Sequence, residues 1–275
     1  MGLLTVLLVL IGNLIGGRSG ALLFFLIALA MNFFSYYFSD KIALSMTGSV
    51  PLAEHEAPEV YDIIRGLAAR AGLPMPRVYR TPSPQPNAFA TGRNPANAAV
   101  AVTDGLLQLL NRTEVEGVLA HEMAHIKNRD VLVATIAAAL AGAITMIANT
   151  LQWGLMFGLG RSDEDEGGAG VLGLVGTLLM IVLAPIAAML IQLAISRARE
   201  YEADATGARL AGRSDGLASA LLKLERAAQR VPMQVNPAAS HLFIVNPLSG
   251  ETVARLCSTH PPIADRVRRL QAMRL

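Results

Sequence analysis

Residues 121–125 read HEMAH, and their types and spacing define one possible chemistry. Side chains four apart on an α-helix share a face, one turn above the other, so His121 and His125 can reach a single metal ion. Glu122 lies about 100° further round such a helix. From there a carboxylate can take a proton from a metal-bound water without being a ligand. Two imidazoles beside such a base are the parts of zinc-assisted hydrolysis. Either histidine alone would read as an ordinary hydrogen-bonded core or surface residue. Two of them at this spacing, flanking a glutamate, reverse that reading.

A catalytic zinc takes three protein ligands and a water. The extended motif H-E-x-x-H-x-x-G-x-x-H is excluded, because the decisive positions hold Asn128 and Val131. The other histidines are His55, His241 and His260. A better source is the stretch SRAREYEADATGARLAG, in which Glu200 and Asp204 are four apart and share a helical face. One of the two can ligate zinc while the other accepts a hydrogen bond from a ligand imidazole and fixes its tautomer. Glu202 points off that face and reads as solvated.

The elements that must position these groups follow from hydropathy. The chain has 275 residues, 53% hydrophobic and only 16% charged, against about a quarter charged in soluble domains. The deficit is concentrated in four uncharged runs: Met1–Gly17, Ser19–Ser39, Val131–Gly160 and Gly167–Ser196. Each is near the length a helix needs to cross a bilayer, the first being short. They form two hairpins, the second closed by RSDEDE. Lys41, Lys127, Arg129, Arg197 and Arg199 flank one side, whereas Arg18 and Arg161 lie on the other, the latter beside four acids. The excess of basic residues places the polar segments in the cytoplasm. The expected organisation is a transmembrane hairpin at 1–39, a first catalytic segment at 40–130, a second hairpin at 131–196 and a second catalytic segment at 197–275. The second hairpin would bring the end of the HEMAH segment beside Glu200. A net charge of +2 without basic blocks gives no case for nucleic acid. The lone Cys257 cannot form an internal disulfide.

Within the first polar segment, PEVYDIIRGLAARAGLP spaces Val60, Ile63, Ile64 and Leu67 for a helix that stops at Gly72 and Pro74. RVYR and NAAVAV read as short strands. Thr113 and Glu116 form a T-x-x-E capping box ahead of the HEMAH helix. The second segment predicts helices near Asp215–Gln229 and from about Pro262, with a Pro/Asn/Ser loop between them.

HEMAHIKNRD, two spans, EYEAD and STHPPIADRVRRL together resemble the HtpX-type membrane zinc endopeptidases, a family that also holds the CAAX prenyl endopeptidase. The resemblance covers nearly the whole chain. It implies an α+β, mainly α-helical, gluzincin-like integral membrane metalloprotease, with four transmembrane helices and a cytoplasmic catalytic domain containing a small β-sheet. It implies one zinc ion on His121, His125 and Glu200, with Glu122 as general base and Asp204 hydrogen-bonded behind a ligand. It places His260 of the HPP motif in the cleft, where it could bond the tetrahedral oxyanion. Without the resemblance, His260 would read as a residue at a helix N-terminus. PNAFATG looks like the edge segment on which related peptidases seat substrate, with Asn87 and Ala88 lining the cleft by strand addition. Arg266 could support His260 or pair with a carboxylate. The implied substrates are membrane or misfolded proteins, cleaved on the cytoplasmic side of the inner membrane for quality control.

Two rival readings remain. An intramembrane metalloprotease of regulated proteolysis would carry H-E-x-x-H inside a span, but Glu114, Glu116, Lys127, Arg129 and Asp130 flank the motif. A non-catalytic zinc scaffold would fill all four positions with Cys and His, and the chain has one cysteine.

Overall fold

The computed structural model describes residues 2–137, 139–140, 143–144, 146, 169–230, 244 and 261–275. They form a mainly helical protein with one small mixed sheet. Two compact units are present, one from Met1–Ser35 with Val133–Ile195 and the other from Tyr36–Leu132 with Ser196–Leu275.

In the first unit, helix α1 (Gly2–Tyr37) is interrupted at Gly16 and Gly17. Gly17 has φ 57° and ψ −141°, a backbone conformation open essentially to glycine alone. The chain folds back there. Asn32 Nδ2 donates to Thr5 Oγ1 at 3.0 Å across 27 residues, which in one straight helix would be about 40 Å apart. The two arms touch backbone to backbone, since a Cβ on Gly12 would lie 2.5 Å from the Gly20 carbonyl oxygen. Gly2–Tyr37 therefore forms a helical hairpin. Leu4–Tyr37 is the stretch that is long and apolar enough to cross a bilayer among the described residues. The expected span Val131–Gly160 and the RSDEDE loop lie largely outside those residues.

In the second unit, strands β1 (Val50–Pro51), β2 (Arg77–Thr81), β3 (Ala88–Thr91) and β4 (Ala99–Thr103) form a sheet in the order β1-β2-β4-β3. β2 and β4 are parallel, and the other two pairs are antiparallel. The central strand AVAVT is wholly buried, which explains its continuous run of small and branched apolar residues. Its helices are α2 (Ser39–Met46), α3 (Pro58–Ala71), α4 (Asp104–Leu109), α5 (Arg112–Asn128), α7 (Asp215–Arg230), α8 (Ile263–Gln271) and the end of α6 (Ala169–Ala211). One core joins Ile64 and Leu67 of α3, Val100 and Val102 of β4, Leu119 and Met123 of α5, Leu221 and Leu224 of α7, and Leu270 of α8.

The cap of α5 corrects the expectation from Thr113 and Glu116. The helix starts earlier, with Asn111 as N-cap. The Asn111 side chain accepts the Glu114 N–H at 3.0 Å, and the Glu114 carboxylate accepts the Asn111 N–H at 3.0 Å. Asparagine caps better than threonine, and Glu114 has a second anchor. It is buried and takes Lys223 Nζ at 2.8 Å and Ser219 Oγ at 2.7 Å, both from α7. Glu116 turns outward to Arg70 instead.

Candidate metal centre

The site is assembled where α5 meets the end of α6, and the contact depends on a missing side chain. A Cβ on Gly207 of α6 would lie 2.8 Å from the His121 nitrogen and 2.9 Å from its Cα. The two backbones are thus in direct contact beside the HEMAH turn. Glu200 and Asp204 sit seven and three residues before Gly207, so the same helix brings both carboxylates over the histidines.

The donor atoms of His121, His125 and Glu200 all lie within 4.8 Å of one another. His121 Nε2 and His125 Nε2 are 3.0 Å apart. The Glu200 carboxylate oxygens lie 3.7 Å from the first and 3.6 Å from the second. A tetrahedral ion with bonds of about 2.05 Å needs donors about 3.3 Å apart, and the three distances bracket that value.

The tautomers argue the same way. His121 Nδ1 donates to Asp204 Oδ1 at 3.0 Å. His125 Nδ1 donates to Asp130 Oδ2 at 2.6 Å. Each neutral ring therefore carries its proton on Nδ1 and turns the Nε2 lone pair inward. Two lone pairs and a carboxylate converge, a set that only a cation satisfies. Burial alone would lower the His125 pKa, but the bond to Asp130 and the charges of Glu200 and Glu122 raise it to about 9.

Asp204 is itself held. Arg266, fully buried in α8, forks onto it with Nε at 2.8 Å and Nη2 at 2.7 Å. Burial opposes ionisation of Asp204, but the Arg266 guanidinium outweighs it and, with His121, holds the carboxyl well below its usual range. Of the two roles left open for Arg266, the geometry makes the carboxylate pair. Its Nη1 also lies 3.4 Å from Glu200. Glu202 points away, pairing with Arg199 at the surface.

Glu122 is buried beside the two histidines of the motif. Burial pushes its carboxyl up from the usual range, partly offset by the neighbouring histidines and by a hydrogen bond from the Ala90 backbone. Ala90 belongs to β3, the edge strand, so that edge faces the Glu122 carboxylate. Asn87 is placed differently from the expectation. Its N–H donates to Thr103 Oγ1 at 2.8 Å and its carbonyl accepts the Thr103 N–H at 3.0 Å, so its main chain is committed to the β4 side. In an antiparallel pair the next residues face the other way. The outward groups of β3 are those of Ala88, whose carbonyl accepts the Ile244 N–H at 3.3 Å, and of Ala90. His260 lies outside the described residues. Asp130, Ala90 and Gly207 escaped the sequence reading, because each acts through tertiary position rather than through a motif.

Residues 54–274 match the model of peptidase family M48. This chain belongs to peptidase family M48. A protease HtpX homologue of Pelotomaculum thermopropionicum is 70% identical over 273 residues, covering 99% of this chain and 96% of that protein. A second, from Syntrophobacter fumaroxidans, is 57% identical over 272 residues, covering 98% and 95%. The crystal structure of S. mikatae Ste24p, 22% identical, superposes with a TM-score of 0.57 over 90% of this chain. This chain spans 58% of Ste24p, and the likeness supports the fold. The M48 chain is a membrane-bound zinc metalloprotease that acts on protein or peptide substrates. Its donor set fits that ion.

Proposed function

We propose that His121, His125 and Glu200 hold the zinc and that Glu122 is the general base of peptide hydrolysis. The observation that supports this most is the convergence of two Nε2 lone pairs and one carboxylate with Glu122 buried alongside. When bound, zinc would polarise the scissile carbonyl and acidify a water. Glu122 takes the proton of that water and delivers it to the leaving nitrogen. Burial raises its pKa above the usual carboxylate range, which favours the return of the proton to the leaving nitrogen. Asp204, fixed by Arg266, holds His121. An extended substrate lies along the outward edge of β3 at Ala88 and Ala90, and takes the place of the Ile244 N–H on the Ala88 carbonyl. For His260 we retain the role that the HPP motif implies, a hydrogen bond to the tetrahedral oxyanion.

Around this chemistry we infer a multi-pass protein of the inner membrane, with hairpins at 1–39 and 131–196 and a cytoplasmic catalytic domain from 40–130 and 197–275. The substrates are membrane or misfolded proteins, met at the bilayer surface. The uncharged runs and the distribution of basic residues support this placement.

Glu122→Gln tests the central role. The variant should keep its zinc and lose at least about a hundredfold in cleavage of an unfolded protein, the usual scale of general-base catalysis. Cleavage at the wild-type rate by zinc-loaded Glu122→Gln would overturn the assignment of the base.

A further inference from the structure

The second histidine has a partner that its own helix could not supply. α5 ends at Asn128, and Arg129 then adopts φ 55° and ψ 44°. It is the one non-glycine residue with positive φ among the described residues. On a continuous helix Asp130 would sit about 140° round from His125 and could not touch its ring. The left-handed residue breaks the spiral and returns the Asp130 carboxylate to His125 Nδ1, at 2.6 Å. The other oxygen, Oδ1, receives Arg199 Nη1 at 3.3 Å. Arg199 immediately precedes Glu200. The order histidine, carboxylate, arginine repeats that of His121, Asp204 and Arg266. The second arm is looser: Arg266 is fully buried and forks onto Asp204, whereas Arg199 is 29% exposed, reaches Asp130 through Nη1 and also pairs with Glu202.

We infer that Asp130 is the positioning residue of His125 and that Arg199 holds Asp130 in place. Asp130 keeps the ring proton on Nδ1 and aims Nε2 at the ion, and Arg199 ties this support to the helix of the third ligand. The inference rests on the reading of His125 as a zinc ligand. Carboxylates placed behind a ligand histidine change metal affinity by about 10- to 100-fold.

The test measures zinc affinity by chelator competition on the full chain in detergent, together with thermal unfolding of the metal-free protein. Asp130→Ala should weaken zinc binding about 10- to 100-fold. Asp130→Asn should lose less, because an amide oxygen still accepts from Nδ1–H. Arg199→Met should weaken binding severalfold while leaving Asp130 itself intact. With zinc saturating, KM for a peptide should stay at the wild-type value. A purely structural Asp130 would instead lower metal-free stability and leave zinc affinity unchanged, which overturns the inference. If Asp130→Ala does not fold, wild-type affinity in both Asp130→Asn and Arg199→Met overturns it equally. His125→Ala separates the two levels of the account. Zinc lost in that variant but kept in Asp130→Ala refutes only the role of Asp130, whereas zinc kept in His125→Ala refutes the ligand assignment itself.

Discussion

Gly207→Ala should damage the metal site without touching a ligand. The added methyl would sit 2.8 Å from the His121 nitrogen, 2.9 Å from its Cα and 3.0 Å from the Ala120 carbonyl carbon. All three are backbone atoms, so no side chain can swing away. Ordinary contact begins near 3.4 Å, so α6 and α5 must part by about 0.6 Å. Zinc sites tolerate about 0.2 Å in ligand distance, and Glu200 rides on the helix that moves. Zinc affinity should therefore fall at least tenfold. The net cost in stability should be no more than about 2 kcal/mol. Overpacking costs about 1–3 kcal/mol, while alanine in place of glycine in a helix returns about 1 kcal/mol. Gly66→Ala is the control. The nearest atom to its Cβ is Arg70 Nη1 at 3.6 Å, the tip of a flexible chain. That variant should be up to about 1 kcal/mol more stable, with unaltered zinc affinity. Chelator competition and thermal melts on the two purified proteins decide the matter. Wild-type zinc affinity in Gly207→Ala would refute the claim that this contact sets the ligand geometry.

Zinc uptake should depend on pH through His125, whose pKa in the metal-free protein is about 9. Below that value each zinc displaces a proton, so affinity should rise with pH by up to about tenfold per unit and level off near pH 9. A flat profile between about pH 6 and 8 would contradict this. By the same linkage, the raised pKa stabilises the metal-free protein fully below 6.5, the ordinary histidine value, and the contribution is lost as pH rises towards 9. Single cysteines introduced into a Cys257→Ser background should react from the cytoplasmic side within 40–130 and from the outer side within RSDEDE. The opposite labelling pattern would reverse the orientation.

What the sequence made legible was periodic and local. HEMAH, the Glu200/Asp204 pair, the α3 stripe and the strands RVYR and NAAVAV depend on spacing within one element, and the structure forms each of them. The α5 cap was misplaced by two residues because Thr113–Glu116 and Asn111–Glu114 both satisfy the pattern. The choice was made by α7, through Lys223 and Ser219, which no local rule contains. Asp130 looked like a flanking charge because five residues is the wrong spacing for a helical pair, and the left-handed Arg129 leaves no mark in composition. The part played by Arg266 needed α8 to lie against Asp204. Asn87 was read as lining the cleft, but the side of β3 that faces outward is set by its register with β4, Phe89 opposite Ala101.

X-ray absorption at the zinc edge of the loaded, full-length protein tests the account most directly. It predicts an inner shell of nitrogen and oxygen at about 2.0–2.2 Å, with the multiple-scattering signature of two imidazoles and no sulfur. A sulfur shell at about 2.3 Å would bring in Cys257, and a third imidazole would bring in one of the remaining histidines. Either result would contradict the site built from His121, His125 and Glu200.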